Sequence, residues 1–88
     1  MISRSVGFDK KPDIHARPAS RLAGLASGFE SMIYFSAGDF IADAKNAMDI
    51  LDFFSGNKYN SGDFDLIAMG SDEAAAMDQM MELLYTFR

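Results

Sequence analysis

The 88-residue chain has no cysteine and no tryptophan, one histidine and two prolines. Without cysteine there is neither a disulfide framework nor a thiolate zinc site, so packing alone must hold the core. Basic residues are scarce. Eight Lys and Arg against thirteen Asp and Glu leave a net charge of −5, which argues against nucleic acid or an anionic membrane as a partner. No apolar run approaches the roughly 20 residues of a transmembrane helix, so no membrane insertion is expected. The opening Met1–Ser5 carries no apolar leader, which points to a cytosolic location. Repeats, low-complexity tracts and linkers are missing as well. A chain this short does not support two independent cores, so residues 1–88 are expected to form one domain. What the chain does have is 49% hydrophobic and 24% charged residues, the balance of a folded globular protein.

Patterning supplies the elements. Residues 2–8 alternate Ile2, Val6 and Phe8 with small polar residues and predict a strand. Pro12 makes residues 9–13 a loop. From Ala16 to about Ser27, Ala19, Leu22, Ala23, Leu25 and Ala26 recur at helical spacing, and Gly28 stops the helix. Residues 31–36 and 40–43 predict two strands joined through the turn residues Ala37, Gly38 and Asp39. A second helix from Ala47 to about Phe53 follows Asn46, a favourable N-cap. Residues 55–62 are polar loop chemistry. Residues 63–69 alternate at Phe64, Leu66 and Ala68 as a strand with one buried face, ended by Gly70. Ser71 is placed to cap a third helix with Asp72 and Glu73 in its first turn. That helix carries Ala74, Met77, Met81 and Leu84 on one stripe, with Met80 and Leu83 beside it. The order β-α-β-β-α-β-α, with polar outer faces on the strands, predicts an α+β fold with a mostly antiparallel sheet and its helices on one side. Periodicity leaves several such folds open, ferredoxin-like ones among them.

The chemical signal lies at the start of the first helix, in Ile14-His15-Ala16-Arg17-Pro18-Ala19. His15 takes the N-cap position, and Pro18 sits in the first turn, where a missing N–H breaks no helical bond. A helix N-terminus offers free amides and about half a positive charge, which stabilises an anion and disfavours an imidazolium. A neutral imidazole there can attack phosphorus. The phosphoryl group would then rest on the amides of Ala16 and Arg17, with the Arg17 guanidinium as a forked partner for its oxygens. The plainer alternative is a cap or a solvated loop residue, which is what a lone histidine before a helix usually is. Without a second histidine, clustered acids around it or a glycine-rich loop, neither metal ligation nor nucleotide binding has support. No cofactor is expected.

The six-residue run, at this distance from the start, resembles the active-site signature of HPr, the histidine-containing phosphocarrier of the bacterial sugar phosphotransferase system. The similarity continues through Lys45 and Met48 and through residues 63–86. The resemblance implies an open-faced β-sandwich, a four-stranded antiparallel sheet covered on one face by three helices. It implies a carrier rather than a catalyst: a monomer that enzyme I, charged by phosphoenolpyruvate, phosphorylates on His15 at Nδ1, and that hands the group to a sugar-specific enzyme IIA. Arg17 would be the phosphate partner. Ala16, Ser20, Ala47, Met48 and Leu51 would form the partner-docking patch. The chain departs from the family pattern at several positions. Asp13 replaces the glycine that commonly precedes the motif, Asn46 occupies the regulatory serine position, and Gly24, Ser27 and Asp49 stand where lysines are frequent. Asp52 adds another acid, and the loop at 55–62 is about four residues longer than usual in the family. These departures give weight to an alternative, a regulatory binding module that docks a target through Met48 and Leu51 without phosphoryl turnover.

Overall fold

The structure is a computed structural model and describes residues 1–8, 14, 16–55 and 62–87. Four strands, β1 (Ile2–Phe8), β2 (Met32–Ala37), β3 (Phe40–Asp43) and β4 (Gly62–Met69), alternate with three helices, α1 (Ala16–Ser27), α2 (Ala47–Ser55) and α3 (Glu73–Tyr85), in the order β-α-β-β-α-β-α. The strands form one antiparallel sheet in the order β1-β4-β2-β3. The three helices cover one face of it and leave the other open.

Strand alternation sets what each face carries. In β4, Phe64, Leu66 and Ala68 are buried while Asp63 and Asp65 are exposed. In β2, Ile33 and Phe35 point inward, and the register brings Phe35 opposite Leu66 on one side and Ala42 on the other. From α2, Phe53 and Phe54 close over Phe35 and Phe64. The four rings have centroids 4.9–6.0 Å apart in tilted or edge-to-face geometry, a favoured arrangement for aromatic quadrupoles. Leu22 and Ala26 from α1 and Met77, Met80 and Leu84 from α3 complete the core.

Several boundaries differ from the sequence expectation. β2 begins at Met32 because Ser31 turns its amide and its hydroxyl to Asp72 instead of the ladder. It runs on through Ala37, so the turn is confined to Gly38 and Asp39, with Gly38 at φ 60°. Ser55 ends α2 and Gly62 starts β4; the rest of the expected 55–62 loop lies outside the described residues, as does the expected 9–13 loop. Asp72, not Ser71, takes the N-cap position of α3, and its side chain caps nothing there. Ser71 instead donates its hydroxyl to Glu30 Oε2 at 3.1 Å. The buried stripe of α3 is Ala76, Met77, Met80 and Leu84, whereas Ala74 is exposed and Met81 half-buried. The helix is rotated relative to the expected stripe because every position in Ala74–Met77 and Met80–Met81 is apolar, which leaves its phase undetermined by pattern.

Asp72 braces the β2 entry against α3. Its carboxylate accepts the amides of Glu30 and Ser31, both at 2.9 Å, and the Ser31 hydroxyl. The Ser31 hydroxyl, followed by the Glu30 amide, holds the Asp72 carboxyl below its ordinary value of 3.8. Next to it, the Met1 ammonium at 2.9 Å and the Gly70 amide hold Glu73 below 4.5. Both pKa values are lowered on folding, so the stabilisation is complete above the ordinary values and is lost as pH falls through the depressed ones. An Asp72→Asn chain is therefore expected to melt below wild type at neutral pH. The gap should begin to narrow near pH 4 and go on closing as the solution becomes more acid. A gap that stays constant from pH 7 to pH 2 in thermal melts would remove the carboxylate from this brace.

Gly70 follows β4 at φ 154°, and a Cβ there would stand 2.6 Å from Ser31 Cα and Oγ. Gly70→Ala should therefore cost about 2–3 kcal/mol through backbone strain and overpacking. Urea unfolding would show it as a lower midpoint with an unchanged slope.

Candidate functional site

The site is built on the N-terminus of α1. Ile14 is buried in the core and anchors the chain just ahead of the helix, and Pro18 and Ala19 are buried in its first turns. Those contacts fix the helix axis while Ala16, Arg17 and Ser20 remain exposed. Ala16 and Arg17 are the first two helical residues, whose amides helix geometry leaves without an intrahelical acceptor. α1 has no acid in its first turn, so nothing on the helix itself offsets the positive end of its dipole. His15 and Asp13 lie outside the described residues.

α2 packs against α1 and supplies the second half of the expected docking patch. Met48 is 71% exposed, and Ala47 and Leu51 are half-buried. The start of α2 is held by its own side chains. Asn46 Oδ1 accepts the amides of Met48 and Asp49 at 3.0 and 3.2 Å, so its side-chain amide caps the helix. Asp49 Oδ2 reaches back to accept the Asp43 amide at 3.3 Å. Lys45 points the other way and donates to the Phe29 carbonyl at 2.8 Å, just beyond the C-terminus of α1. Gly24 and Ser27 are exposed on α1, with nothing within 4 Å of a Cβ built at Gly24. Ile41 of β3 is 67% exposed and lines a small pocket with Asp49 of α2. In β3 Ala42 is buried and its neighbours Ile41 and Asp43 are exposed, as strand alternation requires.

Among the described residues no group of three or more His, Cys, Asp and Glu side chains is arranged to hold a metal ion, and no helix is long and apolar enough to cross a membrane.

An open-faced β-sandwich that carries the Ile14–Ala19 motif into the first turn of its first helix defines a protein of the histidine-phosphocarrier class. The family described as PTS-HPr, the PTS HPr component phosphorylation site, matches residues 2–86. The chain is 28% identical over 83 residues to the phosphocarrier protein HPr of Treponema pallidum, covering 94% of this chain and 91% of that one. Among solved structures, the Mycoplasma histidine-containing phosphocarrier protein superposes with a TM-score of 0.82 at 26% identity, over 97% of this chain and 93% of the other. HPr-C-His from Thermoanaerobacter tengcongensis gives 0.80 at 28% identity, over 98% and 93%; an HPr from that organism has also been solved as a dimer. The chain belongs to the HPr family of phosphocarriers of the phosphotransferase system.

Proposed function

We propose that the whole chain works as one monomeric carrier domain that takes a phosphoryl group from phosphoenolpyruvate-charged enzyme I onto His15 and passes it to a sugar-specific enzyme IIA. The presence of His15 and Arg17 in the Ile14–Ala19 motif, whose Ala16 and Arg17 open α1 as exposed residues, is the observation that carries this reading. The Nδ1 lone pair of His15 attacks phosphorus, and the bond between phosphorus and the donor breaks as the new P–N bond forms. The same exchange in reverse delivers the group to the acceptor. The amides of Ala16 and Arg17 and the Arg17 guanidinium receive the phosphoryl oxygens, since fixed donors and a helix N-terminus favour a dianion. Ala16, Ser20, Ala47, Met48 and Leu51 form the docking patch. Asn46 has no hydroxyl, so this chain does not accept a regulatory phosphoryl group at that position.

Incubation with enzyme I and labelled phosphoenolpyruvate tests the reading. One phosphoryl group per chain is expected, acid-labile and base-stable as a phosphoramidate must be. A chain that binds enzyme I but takes up no label would be a binding module instead. Arg17→Glu places a like charge beside the phosphoryl oxygens and should slow transfer about tenfold or more, about 1.4 kcal/mol of barrier. Arg17 is exposed, so its replacement should leave the melting temperature nearly unchanged. Transfer by the variant at wild-type speed would remove Arg17 from the mechanism. Sedimentation of the phosphorylated chain should give a single species near 9.7 kDa.

A further inference from the structure

A groove of about 560 Å³ runs between α1 and α3, within the range of about 300–1,000 Å³ for clefts that hold a ligand. Its floor is apolar, since Leu25 and Leu83 are half-buried and pack against the core. The space is open at Gly24, which has no side chain and where a built Cβ meets nothing within 4 Å. Along α3, Gln79, Leu83 and Thr86 line it at helical spacing, so it follows one face of that helix for about 10 Å. The two walls carry opposite charges. Arg21 lines the α1 side and Glu82 the α3 side, and both are exposed. Among the described residues no ion pair joins them. The Arg21 guanidinium lies instead over the Phe87 ring, 5.6 Å from its centroid, a cation–π contact that holds the head group and leaves its charge in place.

We propose that this groove docks an amphipathic helix of a partner protein, one whose apolar stripe is edged by acids on one side and bases on the other. Such helices lay apolar anchors into grooves at i, i+3, i+4 and i+7 spacing, and a channel two turns long between two helices receives a row of this kind. The anchors cover Leu25 and Leu83 and fill the gap left at Gly24. An acid on one edge meets Arg21 and a base on the other meets Glu82. A helix with a single sign on both edges gains at one wall and loses at the other. A small molecule suits the groove less, because an open channel bordered by exposed side chains would not bury most of its surface. None of the lining residues belongs to the patch proposed for enzyme I and enzyme IIA, so this docking does not depend on the carrier reading.

The test uses the full chain, isotope-labelled for amide NMR, at about 0.15 M salt, where a Debye length of roughly 8 Å screens its net charge of −5. Three helical peptides share one leucine stripe, edged by glutamate on one side and lysine on the other, by lysine alone, or by glutamate alone. The mixed peptide should bind tightest and move the amide signals of Gly24, Leu25, Gln79 and Leu83. Arg21→Glu makes both walls acidic and should weaken the mixed peptide about threefold while strengthening the all-lysine one. Adding Glu82→Lys restores walls of opposite sign, and the mixed peptide should again bind tightest, lying in the reverse direction. Gly24→Leu fills the groove and should weaken binding about fivefold or more with no fall in melting temperature, since leucine favours helix more than glycine does. Equal affinity for the three peptides would overturn the proposal, as would binding indifferent to Arg21→Glu or to Gly24→Leu. Shifts centred on α2 would overturn it too, and concentration-dependent shifts at Leu25 and Leu83 in the chain alone would give the groove to a second copy instead.

Discussion

A His15→Ala chain is expected to take up no phosphoryl group from enzyme I. His15 is the only imidazole in the sequence, so no neighbouring residue can supply the same nucleophile. Serine and threonine hydroxyls need a general base to attack phosphorus at neutral pH, and the esters they form are stable in acid, unlike a phosphoramidate. The acid-labile label should fall from one group per chain to none. A His15→Ala chain still labelled at the normal rate would move the acceptor elsewhere and end the assignment.

Phe35→Ala is expected to cost about 3–5 kcal/mol, the usual range for emptying a buried aromatic position. Phe35 is fully buried and sits at the centre of the ring cluster, with centroids 5.9, 5.4 and 5.8 Å from Phe53, Phe54 and Phe64. The surrounding backbone cannot collapse into the space, because β2 is paired on both sides, with β3 and with β4. In a domain of this size each kcal/mol lowers the melting temperature by about 4–8 °C, so a fall of roughly 12 °C or more should appear in a thermal melt. A loss under about 1 kcal/mol would mean that the four rings do not form one packed unit.

The same rings show how the sequence could be read and where reading stopped. Phe64 falls on an inward position of β4, where alternation alone places it in the core, whereas Phe35 ends a run of four apolar residues, Met32–Phe35, whose inward face alternation leaves open. Phe53 and Phe54 are adjacent in sequence, and both are buried. Helical spacing included Phe54 but put the helix end near Phe53, because nothing in the pattern requires α2 to bury a second ring at its end. That requirement comes from the sheet beneath it. The third helix is a second case. Its apolar residues are so numerous that several stripes satisfy the 3.6-residue period, and packing on β4 and β1 selects Ala76, Met77, Met80 and Leu84. At its start the sequence offered Ser71 as a cap and Asp72 as a first-turn acid. Contacts more than 40 residues away, to Glu30 and Ser31, assigned both side chains to other work.

The candidate site divides along the same line. The chemistry proposed for its first half is read locally, from a histidine, an arginine and a proline within four residues of one another in the Ile14–Ala19 motif. Local pattern likewise determined the order of elements, the Asn46 cap and the inward residues of β4, since each depends on neighbours a few positions apart. The docking face is of another kind. Its expected residues lie on two helices, Ala16 and Ser20 on α1 and Ala47, Met48 and Leu51 on α2, and those helices are brought together only by tertiary packing. Charge and exposure at such a surface are sums over residues distant in sequence, and no period along the chain encodes them.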